Sequence, residues 1–142
     1  PSLVAMWKVC NGKGEEIATP IRGNPEEGYR LSRKAQALKH FTKYIRPGMY
    51  RVDTGRVLRD GWACIAFSDQ TGTESLTIST EDIELSIALH HHSADRFSVY
   101  CTDADRSHFR LADAVVQKGK VRVTLPGESI MSLVYDNAGQ SK

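Results

Sequence analysis

The stretch "HFTKYIRPGMYRVD", residues 40–53, changes its hydrophobic period in the middle. Before Arg46-Pro47-Gly48 the apolar residues recur at helical spacing, and after it residues 49–53 alternate as in a strand. A helix cannot continue through Pro47, because proline lacks an amide hydrogen. We therefore predict a helix that ends at Arg46 and a β-rich region that begins at Met49.

The segment before this break has the pattern of an amphipathic helix. Its apolar stripe contains Leu31, Leu38, Phe41 and Ile45. Ser32 is a suitable N-cap residue. Basic residues gather toward the end of the helix, where the helix dipole favours them: Lys39, His40, Lys43 and Arg46.

Further upstream, "LVAMWKVC", residues 3–10, is a nearly continuous apolar run. Such a run is typical of a strand that is covered on both faces, as in a parallel sheet. The next residues, 11–28, are rich in Gly, Glu and Pro and predict a loop.

Beyond Gly48 the pattern is that of short strands separated by turn residues. The predicted strands are Met49–Asp53, Trp62–Ser68, Glu74–Ser79, Ile83–Leu89, Arg96–Thr102, Lys120–Leu125 and Ser129–Tyr135. In "VRVTL" the arginine and threonine alternate with Val121, Val123 and Leu125, as one solvated and one buried face require. Strands of this length and spacing predict an antiparallel β-sandwich.

The predicted fold class is mainly β: an antiparallel sandwich of about seven to eight strands, preceded by one strand and one α-helix. The predicted domains are 1–47 for the strand and helix, 48–137 for the sandwich, and 138–142 for a flexible tail. An apolar helix face of about 300 Å² left in water would forfeit about 7 kcal/mol. We therefore expect the 3–46 segment to be covered by the sandwich, by a second copy, or by a barrel supplied separately.

Composition excludes several classes of protein. The 142 residues are 40% hydrophobic and 25% charged, as in ordinary globular domains, and no apolar run approaches the roughly 20 residues that cross a bilayer. The formal net charge of +2 does not indicate a nucleic-acid partner. Three cysteines without a CxxC spacing predict buried free thiols instead of a disulfide framework. Because the first residue is Pro1, we expect a processed, truncated or engineered start.

Two groups of polar residues suggest metal binding. In "HHH", residues 90–92, only His90 and His92 share a face of a strand, so a third ligand such as His108 or Asp95 must come from elsewhere. We favour a polar turn as the explanation of the triplet, and we predict no metal or other cofactor. The acidic turn residues are candidates for calcium binding but lack the EF-hand pattern: Asp103, Asp105 and Asp113.

No pattern predicts a complete catalytic site. Neither Glu15-Glu16 nor Glu26-Glu27 suits a carboxylate pair, because adjacent residues in a polar loop point apart. No serine nucleophile elbow is present. Among the aromatic residues, Trp62 beside Gly61 is the best candidate for an exposed ring that contacts carbohydrate, and a core position is the alternative.

The segment "YRLSRKAQALKHFTKYIRPGMYRVD", residues 29–53, resembles the junction between the catalytic (β/α)8 barrel and the C-terminal β-sandwich in family-30 glycoside hydrolases. Residues 40–48 fill the places of the recurring junction pattern in order. "AMWKV", residues 5–9, resembles the eighth barrel strand, and residues 118–135 resemble the closing hairpin of the sandwich.

This resemblance implies an accessory function. The two catalytic glutamates of the family lie on earlier barrel strands, so the chain is expected to brace the barrel and contact polysaccharide or oligosaccharide without hydrolysing it. Trp7 corresponds to an aromatic residue that can line a sugar subsite. Lys8 and the following "VCNG" differ from the arginine-containing segment of the glucuronoxylan-cleaving branch. The resemblance also implies an extracellular or periplasmic protein.

Two alternatives come from other classes of protein. One is a free-standing carbohydrate-binding module that uses Trp62 or Trp7. The other is a small metal-dependent enzyme that uses His90, His92 and His108.

Overall fold

The computed structural model describes residues 10–11, 20–54, 58–59, 61–69, 72–89 and 94–136. Within these ranges it contains one helix, α1 (Arg33–Tyr44), and thirteen strands. The strands are β1 (Cys10–Asn11), β2 (Ile21–Asn24), β3 (Gly28–Leu31), β4 (Tyr50–Val52), β5 (Leu58–Arg59), β6 (Trp62–Ser68), β7 (Gly72–Ser79), β8 (Ile83–Ala88), β9 (Arg96–Thr102), β10 (Phe109–Arg110), β11 (Ala114–Gln117), β12 (Lys120–Leu125) and β13 (Ser129–Asp136). The mainly β fold class is confirmed.

The chain divides into two compact units, residues 1–39 and residues 40–142, with the boundary inside α1. The predicted bounds 1–47, 48–137 and 138–142 stay a prediction, and residues 137–142 lie outside the described part of the chain. Within that part, α1 lacks the length and apolar character of a membrane-spanning helix.

In the first unit, β1, β2 and β3 form a small sheet in which β1 runs parallel to β2. Cys10, the last residue of the predicted apolar strand, lies in β1, whereas residues 3–9 are outside the described ranges. Ser32 caps α1 as predicted, because its hydroxyl oxygen accepts the amide hydrogen of Ala35 at 3.3 Å.

The prediction of a loop over residues 11–28 was wrong in its second half, where β2 and β3 form an antiparallel hairpin. The carboxamide oxygen of Asn24 accepts the amide hydrogens of Glu26 and Glu27 at 3.0 and 2.8 Å, which folds the three-residue turn. Gly28 follows with φ +77°, the left-handed conformation that this kind of turn requires. Local side-chain bonds therefore make a hairpin out of a polar segment.

The helix ends earlier than predicted, at Tyr44 instead of Arg46. Leu31 was also wrongly assigned to the helical stripe, because it lies in β3 and is 51% exposed. The residues 46–49 form a tight turn in which the amide of Met49 donates to the carbonyl of Arg46 at 3.1 Å. Pro47 and Gly48, with φ +98°, occupy the central positions that a type II turn favours.

The second unit contains a ten-stranded antiparallel sheet that curls into two layers. The first layer has the order β4-β6-β7-β13-β9, with β5 and β10 as short side pairs. The second layer, β11-β12-β8, connects to the first where β11 pairs with the start of β9. Buried side chains of both layers form one core between them: Leu85, Phe97, Val99, Ala114, Val121, Leu125, Met131 and Leu133.

The burial of β12 confirms the predicted alternation, with Val121 and Leu125 buried and Arg122 and Thr124 exposed. The closing hairpin predicted for residues 118–135 was wrong, because β12 pairs with β8 and β11, whereas β13 pairs with β7 and β9. The connection through Pro126 and Gly127 passes from one layer to the other. Alternation identifies the buried face of each strand but not its neighbours.

We expect Gly23→Ala to disrupt the β2–β3 hairpin. A Cβ atom at Gly23 would collide with the backbone carbonyl oxygen of Gly28, at a φ of +118° that alanine rarely adopts. Gly28→Ala is the matched control, because its Cβ would meet no atom within 4 Å and only the conformational cost of about 1 kcal/mol remains. Amide hydrogen exchange of residues 21–31 measures both. Equal protection in the two variants would contradict the close approach.

Candidate functional site

His40, in the last turn of α1, is fully buried and has a hydroxyl group at each ring nitrogen. Its Nδ1 lies 2.8 Å from Oγ of Ser132, and its Nε2 lies 2.8 Å from Oγ1 of Thr102. A hydroxyl both donates and accepts, so two hydroxyls satisfy a neutral imidazole in either tautomer. These bonds hold the end of α1 against the first layer of the sandwich.

The strand register places the two hydroxyls for this contact. Residue 102 of β9 lies opposite Ile130 of β13, and Ser132 lies two residues further along β13. Both therefore project from the same face of the first layer, opposite the face that contributes Met131 and Leu133 to the core. Ser132 is itself fully buried. The outer face of the first layer is thus polar where the histidine meets it.

An aromatic cluster surrounds the histidine. Tyr44 stacks on Tyr100 with ring centroids 5.2 Å apart, and His108 stacks on Tyr100 at 4.9 Å. The hydroxyl of Tyr44 lies 3.0 Å from Nε2 of His108. The His40 and His108 ring centroids are 5.1 Å apart. We call His40, Tyr44, Tyr100, Thr102, His108 and Ser132 the anchor cluster.

Two further contacts tie the anchor cluster together. The amide of His108 donates to Oγ1 of Thr102 at 2.8 Å, in a residue with φ +48°. The ammonium nitrogen of Lys43 lies 5.1 Å from the ring centroids of both Tyr44 and Tyr100, within cation–π range. Hydrogen bonds and ring stacking therefore connect the last turn of α1 to strand β9 and to the β9–β10 turn.

The Ser132–His40 pair does not form a nucleophilic site. A catalytic serine must reach its substrate as well as its base, but both of these side chains are fully buried. The chemistry available to the anchor cluster is hydrogen bonding and stacking, which position α1.

The structure places the metal candidate His108 inside the anchor cluster, and His90 and His92 lie outside the described residues. Across the described ranges, no three His, Cys, Asp or Glu side chains gather in a group that could hold a metal ion. The proposed triad stays untested.

The acidic turn residues are engaged with arginines. A carboxylate oxygen of Asp103 lies 2.7 Å from Arg106, and one of Asp113 lies 2.7 Å from Arg110. The hydrogen bonds from Arg106 lower the pKa of Asp103, and Asp113 raises the pKa of Arg110 by bonding its guanidinium. Glu26 and Glu27 are exposed in the β2–β3 turn, and Glu15 and Glu16 lie outside the described ranges.

Trp62, predicted to contact carbohydrate, is the first residue of β6, where it is partly buried and packs against the core between the layers. Trp7 lies outside the described residues. Carbohydrate binding by either tryptophan stays a prediction.

Sequence reasoning missed the anchor cluster because it counted His40 among the solvated basic residues of α1. Of the residues of α1, His40 alone is buried. The sequence did contain an indication that His40 is buried. His40 comes directly before Phe41 of the apolar stripe and lies one turn before Tyr44, at the spacing that brings two side chains together. Its partners were beyond reach, because they are 62 and 92 residues away along the chain.

Comparison with solved structures finds proteins of similar fold. An endoxylanase of glycoside hydrolase family 30 from Clostridium papyrosolvens C71 is similar to this chain with a TM-score of 0.70 and 26% identity, over 75% of this chain and 28% of that enzyme. The family-30 subfamily 8 xylanase of Clostridium acetobutylicum has a TM-score of 0.70 at 16% identity, over 75% of this chain and 28% of that one. The catalytic domain of the family-30 xylanase C from Talaromyces cellulolyticus has a TM-score of 0.68 at 22% identity, over 82% of this chain and 27% of that one.

At 16% and 22% identity the last two comparisons show the fold alone. No protein-family model matches the chain, and a search of curated proteins finds no match. The chain is a mainly β protein that is similar to part of a family-30 glycoside hydrolase, as predicted, and it spans about 28% of the length of the clostridial enzymes.

We expect His40→Ala to lower the free energy of unfolding by about 2–4 kcal/mol, because it leaves a cavity, deprives the buried Ser132 hydroxyl of its partner and removes one hydrogen bond of the half-buried Thr102 hydroxyl. Lys34→Ala is the control, since Lys34 is exposed on the same helix. Denaturant unfolding measures both variants. A change at His40 no larger than that at Lys34 would refute the anchoring role.

We also expect slow modification of Cys64 and Cys101, measured in a Cys10→Ser background with a thiol-specific disulfide reagent. Burial raises the pKa of the Cys64 and Cys101 thiols, so the folded protein contains less of the reactive thiolate at a given pH than the unfolded protein does. Unfolding in guanidinium should release both thiols for rapid reaction. Rapid reaction of the folded protein would contradict the burial.

Proposed function

We propose that this chain is the non-catalytic β-sandwich portion of a family-30-like glycoside hydrolase, which braces the catalytic barrel through α1. The similarity to the clostridial endoxylanase over only 28% of that enzyme is the observation that supports this proposal most strongly. A catalytic barrel would then cover the 3–46 segment, which is one of the three covers that the sequence pattern leaves open.

The anchor cluster supplies a physical means of bracing. Helix α1 continues without interruption from residue 33 to residue 44, and His40 holds its last turn on the first layer. The type II turn at residues 46–49 then leads directly into β4, whose pairing with β6 holds the chain after the turn. His40 and the β4–β6 pairing therefore hold the end of α1 and the following turn on the sandwich.

Retaining glycosidases need two carboxyl groups about 5 Å apart on a rigid scaffold. Among the described residues, Asp103 and Asp113 are bound to arginines and Glu26 and Glu27 are exposed in a turn, so these four offer no such pair. These placements favour an accessory role, in which the barrel carries the reacting groups and the sandwich contacts polysaccharide.

A hybrid enzyme tests the proposal. The matched 28% of the Clostridium papyrosolvens endoxylanase is replaced by this chain. We expect the hybrid to release reducing ends from xylan, whereas the purified chain alone releases none. The His40→Ala hybrid should melt at a lower temperature than the hybrid with Lys34→Ala, because the brace is loosened.

Two results would contradict the proposal. One is release of reducing ends by the isolated chain after removal of any contaminating glycosidase. The other is a hybrid that has a cooperative melting transition but no activity on xylan.

A further inference from the structure

The outer face of the second layer carries a group of exposed basic residues. In the strand register, Arg96 of β9 lies opposite Val115 of β11, and Arg122 of β12 lies opposite Ser86 of β8. Strands β11 and β12 are antiparallel, with Val116 opposite Val121 and Gln117 opposite Lys120. Continuing this register by one residue places Val115 beside Arg122. One row across β9, β11, β12 and β8 therefore consists of four exposed side chains: Arg96, Val115, Arg122 and Ser86.

The neighbouring row continues the pattern. It consists of Gln117, Lys120 and Ala88, all exposed, and Lys118 lies in the turn that follows. With strands about 4.8 Å apart and about 6.8 Å between alternate residues, Arg96 and Lys120 each lie within about 10 Å of Arg122. We call these two rows and Lys118 the basic face.

The acidic residues near the basic face are at its margins. Glu84 lies one row beyond Arg122, opposite Thr124, and Asp95 precedes Arg96. No ion pair with a carboxylate is found for the four basic side chains of this face among the described residues. Glu84 and Asp95 offset part of the repulsion among these positive charges from the margins, and a polyanion laid across the rows would relieve the rest.

We propose that the basic face binds an acidic polysaccharide, a chain of uronate sugars, through its carboxylates. Arginine suits this ligand because its planar guanidinium makes two parallel hydrogen bonds to a carboxylate. Val115, at 57% exposure between Arg96 and Arg122, offers an apolar contact for the C–H groups of a sugar ring. The nearby hydroxyl and amide of Ser86 and Gln117 are suited to sugar hydroxyls.

The residues of the basic face favour a glycan over single-stranded nucleic acid. Proteins that bind single strands stack bases on aromatic side chains, and the two rows of the face contain none. The choice of a polysaccharide among other polyanions also rests on the proposed function. The positions of the charged side chains do not depend on the proposed function. Binding can therefore be measured on the isolated chain, without any barrel.

Titration with polygalacturonate at low ionic strength tests the proposal. We expect saturable binding that weakens as salt is added, since the charges are exposed to solvent. The double variant Arg96→Gln/Arg122→Gln should bind about tenfold more weakly. The matched control Arg46→Gln/Arg51→Gln removes the same charge from exposed residues elsewhere in the second unit and should bind like the original protein.

Several results would overturn the proposal. These are absence of binding to polygalacturonate, equal binding to unsubstituted neutral xylan, an equal loss in both double variants, or tighter binding to DNA that depends on the same two arginines. An inactive hybrid enzyme together with selective polygalacturonate binding would refute the proposed bracing and leave the basic face intact. An active hybrid without polygalacturonate binding would refute the proposed role of the basic face and leave the proposed bracing intact.

Discussion

The second unit depends on one buried contact, the imidazole of His40 between the hydroxyls of Ser132 and Thr102. A fully buried ring needs a partner for each nitrogen, because an unsatisfied polar group in a protein interior costs about 1–3 kcal/mol. Meeting that requirement fixes the last turn of α1 on the outer face of the first layer. The stacked rings of Tyr44, Tyr100 and His108 then follow from where the helix has been placed.

The first layer consequently has two different faces, each with its own partner. One face contributes Met131 and Leu133 to the apolar core that it shares with the second layer. The opposite face bears Ser132 and Thr102 and receives the end of α1. This explains why Ile130, Met131, Ser132 and Leu133 are all buried, and why the sequence of β13 mixes serine with apolar residues.

Local chemistry made much of the fold predictable from sequence. The Ser32 cap, the break at Pro47 and the alternation of β12 depend on neighbours a few residues away, and all three were anticipated. The β2–β3 hairpin was missed because the side chain of Asn24 folds a segment that composition alone marks as loop. The partners of His40 depend on the pairing of strands that are far apart in sequence, and so does the passage of the chain from β12 in one layer to β13 in the other. The spacing of hydrophobic residues does not specify such pairing.

The position of β13 has a consequence for synthesis on the ribosome. This strand lies between β7 and β9 although both precede it in the chain. The first layer therefore cannot close until residues 129–136 have emerged, and until then β7 and β9 each lack their partner along that edge. Unpaired edges of this kind invite association with other chains. A nascent chain stalled before β13 is thus the form of this protein most in need of a chaperone.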